Sequence, residues 1–574
     1  MPARKLLALF FVLSLAVAVP AEAKKKERVQ PERVIILVLD QARPDTIDRY
    51  DMDNVKALQR AGANFRNAYL GHMAAETVIS HNVLTSGLFP KHMGWTNEVY
   101  RDSEGLIGAP GAYHVTSSMS CAQFAALIQD GGYPKLQDYL DAQFGQSSVF
   151  ASISQKRTAT CTAGHTSSAA DGTATDPEDV LFQIRGSSGP SCDGESGWRV
   201  PEDGNGGSAA TYFPELATPC NRWSTWQAAG AYGTNAIPPA QIYPLDGNRF
   251  VPGFDPAHIG GDVWTADAAI RVIESAAPWR GMMVSLGGID KLGHMWGPED
   301  EQTGPPGSVE EMRHMPFIAK TADRQVGKIV DTLEAEGLLD ETLVVVTADH
   351  AAQTGETFHG ELDGFPGAAG PRCDPPSTGI RSDCNWYLGQ DPDEVYLDPA
   401  PAVAALRDRI GSNLAFSYQD AHVAAWLHGD SAQQKRDAAE AVLDMPDVIA
   451  SYRINAAHDD YRLHGMNRVT GAERAWAARH AEELVDTMAH PSGPEVVGLL
   501  RSDVTYGVMG DHGGHTRLIQ EVPMVFYGAG VGSKDSNRRM RAVDVVPTVL
   551  ELMGIDYDED DFDGEAVKVS RPKG

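Results

Sequence analysis

The feature that most constrains the fold is a set of uninterrupted apolar runs, each followed closely by acidic or histidine side chains. The runs with the side chains behind them are residues 34–39 with Asp40, residues 282–286 with Asp290 and His294, and residues 343–347 with Asp349 and His350. Apolar runs without alternation are typical of strands buried on both faces of a parallel sheet. Because ligands gather at the carboxyl ends of such strands, these side chains are candidate metal ligands. The pattern predicts an α/β fold with a mostly parallel central sheet flanked by helices.

A helical run over residues 77–86 stops at Gly87, which places Thr77 at a helix N-terminus. Free backbone N–H groups and the helix dipole favour an anion there, so a phosphoryl oxygen could bind beside the hydroxyl. Threonine is also an ordinary N-cap residue, so its local sequence leaves both capping and nucleophilic attack open. The Asp and His residues elsewhere in the chain favour attack.

Three carboxylates and three histidines behind strands suit two Zn²⁺-like divalent ions in mixed nitrogen and oxygen coordination. They are Asp40, Asp290, Asp349, His294, His350 and His512. Two ions about 4 Å apart suit an in-line displacement at phosphorus. In such a scheme Thr77 attacks, and water later resolves the covalent intermediate. Each residue alone is more often structural, whereas the whole set predicts a hydrolase.

The net charge limits which partners the protein can bind, and the N-terminal segment indicates where it is located. A formal net charge of −30 disfavours nucleic acid as a stable partner, because binding a polyanion relies on Lys and Arg. Residues 1–23 resemble a secretory signal, with basic residues before an apolar run and a small-x-small cleavage site. We expect a secreted or periplasmic protein without a transmembrane segment once the signal is cleaved, since no other stretch could span a bilayer.

Six cysteines, even in number and without a C-x-x-C pair, predict disulfides in an oxidising compartment. Cys373 and Cys384 are close enough in sequence to staple one loop. The connectivity of the others stays open.

Two stretches interrupt the core pattern and are interpreted as inserted cap or subdomain regions. The first is rich in Ser, Gly, Thr and Asp and holds three cysteines, which would compensate for a thin core. The second combines a Pro/Gly-rich segment with mixed elements. The predicted division is a signal peptide at 1–23, catalytic core at 24–154, 262–360 and 493–574, and insertions at 155–261 and 361–492.

Five motifs occur in the order and spacing of a known superfamily. They are Leu39-Asp40, the run 77–94 with His81, Gly87, Pro90 and Gly94, Asp290-x-x-Gly293-His294, Ala348-Asp349-His350, and His512-Gly513 before Val522-Pro523. They resemble the alkaline phosphatase superfamily, specifically its type I phosphodiesterase/nucleotide pyrophosphatase branch. The resemblance covers the core and neither insertion. It implies an alkaline phosphatase-like fold and a small-molecule phosphoester substrate.

Carried over residue by residue, the resemblance makes Thr77 the nucleophile and a metal ligand. The two implied ligand sets are Asp40, Thr77, Asp349 and His350 for one ion, and Asp290, His294 and His512 for the other. His515 and His359 compete with His512 as the last ligand. His512 is favoured because it lies just before the late strand at residues 522–527.

Three further residues are candidates for contacts with the phosphoryl group. The resemblance implies that Asn97 donates a hydrogen bond to a phosphoryl oxygen, although a turn residue could explain it. Lys156 and Arg157 match a segment that supplies phosphate contacts in monoesterase members, or else lie on a solvated loop. A dianionic monoester needs more positive charge than a diester, so either residue reaching the site would favour monoesters.

Departures from the family pattern leave other activities open. Val78-Ile79-Ser80 stands where phosphodiesterase members usually carry Phe-Pro-Asn, and Ala351 replaces the usual glycine after Asp-His. Phosphonate hydrolysis would use nearly the same ligands. A sulfatase would need a Cys or Ser in a C/S-x-P-x-R context, which Thr77 does not provide. An exported binding module on an inactive scaffold is the alternative from another class.

Overall fold

The computed structural model describes residues 30–116, 119–154, 156–167, 180–185, 197–199, 259–290, 293, 298, 314–353, 401–467, 469–502, 504–506 and 510–571. Several predicted features lie outside the described residues. They are the signal segment 1–23, the metal-ligand candidates His294 and His359, and the cysteine pair Cys373 and Cys384.

The described residues form sixteen strands in two larger sheets and one hairpin. The strands are β1 Arg33–Leu39, β2 Ala63–Tyr69, β3 Val99–Asp102, β4 Ala112–Val115, β5 Val149–Ser154, β6 Val180–Arg185, β7 Gly197–Arg199, β8 Trp279–Leu286, β9 Thr342–Thr347, β10 Leu414–Gln419, β11 His422–Leu427, β12 Val448–Ile454, β13 Tyr461–Met466, β14 Val496–Leu500, β15 Met524–Gly528 and β16 Lys534–Arg541. Strands β3 and β4 form the separate hairpin.

The central sheet has nine strands in the order β16-β2-β15-β9-β1-β8-β5-β6-β7. Neighbouring strands from β9 through β6 are parallel, as are β16 and β2, whereas β15 and β7 run antiparallel to their neighbours. Leu39 pairs with Leu286 and Val38 with Thr347, so β8, β1 and β9 end at the same level. The predicted α/β fold with a mostly parallel sheet is confirmed.

Fourteen α-helices accompany these strands among the described residues. They are α1 Pro44–Arg49, α2 Asp53–Ala61, α3 Thr77–Ser86, α4 Pro90–Met93, α5 Cys121–Gly131, α6 Leu136–Phe144, α7 Arg157–Gly164, α8 Ile259–Ile273, α9 His314–Ala335, α10 Pro401–Ile410, α11 Ala432–Leu443, α12 Gly471–Asp486, α13 Arg517–Gln520 and α14 Val545–Met553. Helix α9 contacts α2 and α8, while α3 contacts α7 and α14. Every residue of α3 is buried, and the helix ends at Gly87, whose φ of 73° suits a residue without a side chain.

The second sheet is antiparallel, with five strands in the order β10-β11-β14-β12-β13. Its β10–β11 turn meets the loop that carries His512. The N–H of Ala421 donates to the carbonyl of His512 at 3.1 Å, and the N–H of Tyr506 donates to the carbonyl of Asp420 at 2.8 Å. This turn lies in the segment that the sequence assigns to the second insertion. The predicted domain boundaries stay a prediction.

One disulfide joins Cys121 at the start of α5 to Cys161 in α7, with Cα atoms 5.3 Å apart. It anchors the helix that begins directly after Lys156. No helix among the described residues is long and apolar enough to cross a membrane.

Candidate active site

The predicted acidic residues converge because their strands are neighbours. Asp40 follows β1, which lies between β8 and β9 in the sheet. Asp349 follows β9 after one alanine, and Asp290 stands four positions beyond the end of β8. All three side chains are buried. Parallel strands that end at one level therefore bring these carboxylates together, as the apolar runs predict.

The first ligand group consists of Asp40, Asp349 and His350, whose ligand-type atoms lie within 4.8 Å of one another. His350 Nε2 lies 3.5 Å from Asp40 Oδ1 and 3.4 Å from Asp349 Oδ2. Burial, and next the charge of Asp349, raise the pKa of Asp40 well above its ordinary value. Burial also raises the pKa of Asp349. Buried carboxylates at this spacing are stabilised as anions only by added positive charge.

The second ligand group consists of Asp290, His350 and His512, also within 4.8 Å. His512 Nε2 lies 3.8 Å from Asp290 Oδ1, and the rings of His350 and His512 have centroids 3.8 Å apart. His350 thus belongs to both groups. Of the two described histidines considered for the last ligand, His512 joins Asp290, whereas His515 belongs to none of the ligand groups formed by described residues.

Thr77 contacts His350, the histidine that the two groups share. Thr77 is the first residue of α3, and the N-cap position is taken by Glu76, whose side chain makes no capping hydrogen bond. The Thr77 hydroxyl oxygen lies 3.2 Å from His350 Nε2 and accepts a hydrogen bond from Lys156 Nζ at 3.0 Å. The hydroxyl therefore faces the charged side chains rather than its own helix.

Lys156 supplies the positive charge at the centre of these carboxylates. Its Nζ lies 2.7 Å from Asp40 Oδ2 and 2.6 Å from Asp290 Oδ2. Burial by itself lowers the pKa of Lys156, but Asp290, Asp40 and Asp349 together raise it above the ordinary lysine value. Arg157, the neighbouring candidate, begins α7, and its side chain is outside the described set.

Comparison with known proteins gives the family. A model of the type I phosphodiesterase/nucleotide pyrophosphatase family matches residues 34–170 and 207–466, more than half of the chain. The chain belongs to this family. It is therefore a member of a family of phosphoester hydrolases, and the matched residues include Asp40, Thr77, Asp290 and Asp349. His512 lies beyond the match, so its placement depends on the geometry.

This family member is similar to solved structures. Wild-type alkaline phosphatase PafA is 14% identical, with a TM-score of 0.59 over 94% of this chain and 99% of that chain. Murine ectonucleotide pyrophosphatase/phosphodiesterase 5 is 10% identical, with a TM-score of 0.49 over 94% of this chain and 97% of that chain. At such identity the likeness to PafA shows the fold alone, which is alkaline phosphatase-like. No curated protein sequence matches this chain.

Gln41 contacts two of the candidate ligands, and the sequence did not indicate it. Its Nε2 donates to Asp290 Oδ1 at 3.2 Å and to the carbonyl of Gly510 at 2.7 Å, and its backbone N–H donates to Asp349 Oδ1 at 3.3 Å. Gln41 has a φ of 68°, a conformation that costs energy for a residue with a Cβ. Its side chain also explains Gly293 of the Asp290 motif, because a Cβ there would lie 1.8 Å from Gln41 Oε1.

His81 stands in the Thr77 motif without a role that the sequence could assign. Its Nδ1–H donates to the carbonyl of Thr77 at 2.8 Å and lies 3.4 Å from Asp349 Oδ2. Burial lowers the pKa of His81, with Asp349 opposing the shift. His81 therefore links the first turn of α3 to a carboxylate of the first ligand group.

Asn97 contacts His422, the first residue of β11. Its Nδ2 is 2.9 Å from His422 Nε2, and its Oδ1 accepts from the N–H of Val99 at 3.2 Å. No sequence signal marked His422, which lies in the predicted second insertion. The contact between Asn97 and this histidine could be recognised only in the folded structure.

Proposed function

We propose that this protein hydrolyses phosphoesters with Thr77 as the nucleophile and through a covalent phosphothreonine intermediate. One observation carries the proposal: the Thr77 hydroxyl lies 3.2 Å from His350 Nε2, at the point where the two ligand groups share a residue. A hydroxyl that merely capped a helix would face backbone N–H groups. This one faces a histidine and a lysine.

The donor set fits two divalent metal ions, for which Zn²⁺ is our proposal. Each group combines carboxylate oxygen with imidazole nitrogen from buried side chains within 4.8 Å. Such mixed N/O sets suit Zn²⁺ better than the all-oxygen sets of Mg²⁺ or Ca²⁺. The proposed holders are Asp40, Thr77, Asp349 and His350 for one ion, and Asp290, His294 and His512 for the other. When bound, such ions lower the pKa of an adjacent hydroxyl and offset charge on a phosphoryl group.

Residues of the protein position the attacking hydroxyl and the phosphoryl group. Thr77 attacks phosphorus from the N-terminus of α3, where backbone N–H groups and the helix dipole favour the phosphoryl oxygens. The attack forms the Thr77 O–P bond as the hydroxyl proton passes to solvent, and it breaks the bond from phosphorus to the leaving oxygen, which takes up a proton from solvent. Water then attacks the phosphothreonine, which releases phosphate and restores the hydroxyl. Asn97 is our proposed hydrogen-bond donor to a phosphoryl oxygen.

Phosphomonoesters are the proposed preferred substrates, with phosphodiesters and nucleotide pyrophosphates as slower ones. The support comes from Lys156, whose buried ammonium group is 3.0 Å from the Thr77 hydroxyl. A monoester carries one more ionisable oxygen than a diester, so a fixed cation beside the nucleophile favours it. Arg157 is proposed to assist Lys156.

Export is the proposed location, in the periplasm or outside the cell. The disulfide between Cys121 and Cys161 supports it, because such bonds persist in oxidising compartments. The N-terminal segment 1–23 is the proposed signal peptide.

A rate panel tests the activity. Purified protein saturated with Zn²⁺ is assayed with 4-nitrophenyl phosphate, bis(4-nitrophenyl) phosphate, a nucleotide pyrophosphate, a phosphonate monoester and 4-nitrophenyl sulfate. The highest kcat/KM is expected for the monoester. A preference for the sulfate or the phosphonate would replace the proposed substrate class, and no turnover of any ester would favour an inactive binding scaffold.

A further inference from the structure

A second buried polar cluster lies beside the candidate site. Glu76, Asp420 and His422 place ligand-type atoms within 4.8 Å of one another. Glu76 directly precedes Thr77, whereas Asp420 lies in the β10–β11 turn and His422 is the first residue of β11. Gly513 packs against them so closely that an added Cβ would lie 2.3 Å from Asp420 Oδ2. The cluster therefore joins the nucleophile's helix to the five-stranded sheet.

Both ring nitrogens of His422 are used in hydrogen bonds. Its Nδ1 lies 2.7 Å from Asp420 Oδ1 and also contacts the carbonyl oxygen of Gly513, so Nδ1 carries the proton toward two acceptors. Its Nε2 lies 2.9 Å from Asn97 Nδ2. The backbone N–H of Val99 donates to the other polar atom of the Asn97 amide at 3.2 Å. Only the amide oxygen can accept this hydrogen bond, so that atom is Oδ1 and the atom facing His422 is Nδ2. Nε2 therefore accepts from Asn97, and the imidazole keeps no lone pair for a cation.

We propose that Asp420 and His422 are positioning residues that orient the amide of Asn97 toward the phosphoryl group. Asp420 holds the Nδ1–H tautomer of His422, and Nε2 then accepts one N–H of the Asn97 amide. The second N–H of that amide is directed to the substrate. This inference rests on the proposed function, in which Asn97 donates to a phosphoryl oxygen.

The surroundings make the orientation strict. Asn97 and His422 are fully buried, and Asp420 is 2% exposed, so water does not replace these hydrogen bonds. Rotating the Asn97 amide would set its N–H against the N–H of Val99 and its oxygen against Nε2 of His422, so buried polar groups would lose their hydrogen bonds. The N–H of His422 donates to Asp420 Oδ1 at 3.2 Å, which fixes the turn that carries both residues. A donor held in this way needs no reorganisation during the reaction.

The second sheet thereby takes part in the reaction. The sequence separation between Asn97 and His422 is 325 residues, yet their side chains meet beside the nucleophile's helix. The turn is also fixed from the core, through the hydrogen bond from Ala421 to the carbonyl of His512. A predicted insertion thus supports a residue of the core.

A double-mutant cycle on 4-nitrophenyl phosphate tests the coupling. Asn97→Ala should lower kcat/KM about 100-fold, as the loss of an oxyanion donor does elsewhere. His422→Ala should lower it about 10-fold or more. If His422 acts through Asn97, the double variant should be no slower than Asn97→Ala within about threefold. An effect of the double variant equal to the product of the single effects would overturn the proposal.

Two further variants separate positioning from a merely structural role. In His422→Gln, the Oε1 atom can replace Nε2 as the acceptor for Asn97, so most of the activity lost in His422→Ala should return. His464→Ala removes a histidine from the same sheet, where it pairs with Glu440 at 2.8 Å, and should show no coupling to Asn97→Ala. Failure of the glutamine variant to restore activity, while it folds with a wild-type melting temperature, would contradict the proposal.

Metal content and phosphate binding keep the two proposals distinguishable. The divalent metal bound per chain should be the same in His422→Ala and the wild type, and a loss would make the cluster a cation site instead. If the wild type turned over no ester, the proposed function would fail. The dissociation constant of inorganic phosphate from the Zn²⁺-loaded protein would then replace kcat/KM in the same cycle, with coupling supporting and additivity overturning the inference.

Discussion

The ammonium group of Lys156 lies 3.0 Å from the hydroxyl oxygen of Thr77. The same group is 2.6 Å from Asp290 and 2.7 Å from Asp40, so one buried cation contacts the proposed nucleophile and a carboxylate of each ligand group. The contact between Lys156 and Thr77 joins the N-terminus of α3 to the segment after β5, which ends two residues before Lys156. A side chain of the protein, and not only a bound metal ion, therefore places positive charge beside the proposed nucleophile.

Replacing the proposed nucleophile should remove turnover without removing metal. Thr77→Ala is expected to lower kcat with 4-nitrophenyl phosphate at least 10³-fold, because no other described hydroxyl occupies this position. The two ligand groups contain five side chains, and Thr77 is not among them. The metal content of Thr77→Ala should therefore stay close to that of the wild type. Rates and metal per chain are measured on the same preparation.

The control for this change is Thr85→Ala, eight residues later in the same helix. Thr85 donates to the carbonyl of His81 at 3.0 Å and has no part in the ligand groups. It should retain nearly wild-type kcat. Retention of activity in Thr77→Ala, or the absence of phosphothreonine 77 after acid quenching during turnover, would count against the covalent route.

Lys156→Ala should change substrate preference. We expect kcat/KM for the monoester to fall about 100-fold, corresponding to about 3 kcal/mol for a lost hydrogen bond between charged groups. The diester, with less charge to offset, should lose no more than about 10-fold. Lys91→Ala removes a lysine that pairs with Asp486 at 2.7 Å and should leave the ratio unchanged. Equal losses on both substrates would contradict the assigned role of Lys156.

The last metal ligand can be identified with a matched pair of histidine variants. His512 joins Asp290 and His350, whereas the buried His515 does not. His512→Ala should release one of two bound ions on dialysis and lower kcat at least 10²-fold, while His515→Ala keeps both ions. Metal is counted by mass spectrometry after removal with a chelator and reloading with Zn²⁺. Loss of an ion from His515→Ala alone would reverse the assignment.

Acid should destabilise the protein partly through His72, which is fully buried. Burial lowers the pKa of His72 from 6.5 to about 4. The unfolded state therefore binds its proton first, so the stabilisation is complete above pH 6.5 and is lost as the pH falls toward 4. Between pH 8 and pH 5 this group should reduce the free energy of unfolding by about 2 kcal/mol.

The measurement compares denaturant unfolding of the wild type and His72→Gln at both pH values. Other titrating groups are shared, so the difference between the two proteins isolates this imidazole. The variant should lose about 2 kcal/mol less on acidification. Identical losses would show that His72 does not become charged on unfolding.

Local sequence patterns predicted most of the fold and most of the candidate site residues. The run before Asp40 predicted β1 within one residue, because a short apolar stretch rich in β-branched residues favours a buried strand. The stop at Gly87 placed the end of α3, since its left-handed conformation favours glycine. Neighbouring parallel strands then made the convergence of Asp40, Asp290 and Asp349 predictable.

Contacts between distant loops were not predictable in the same way. The sequence left Lys156 either at the phosphate or on a solvated loop, and the choice depends on how α7 packs against α3. Gln41 and His422 carried no signal, because a glutamine after a strand and a histidine at a turn occur for many reasons.

The sequence by itself determined which side chains end the strands and that a threonine begins a buried helix, because periodicity and turn residues act over a few neighbours. Only the tertiary structure decided that Lys156 touches Thr77, that Gln41 fills the space left by Gly293, and that His422 reaches Asn97. These contacts depend on the directions of side chains brought together by sheet order and by the docking of a second sheet, which no local pattern specifies.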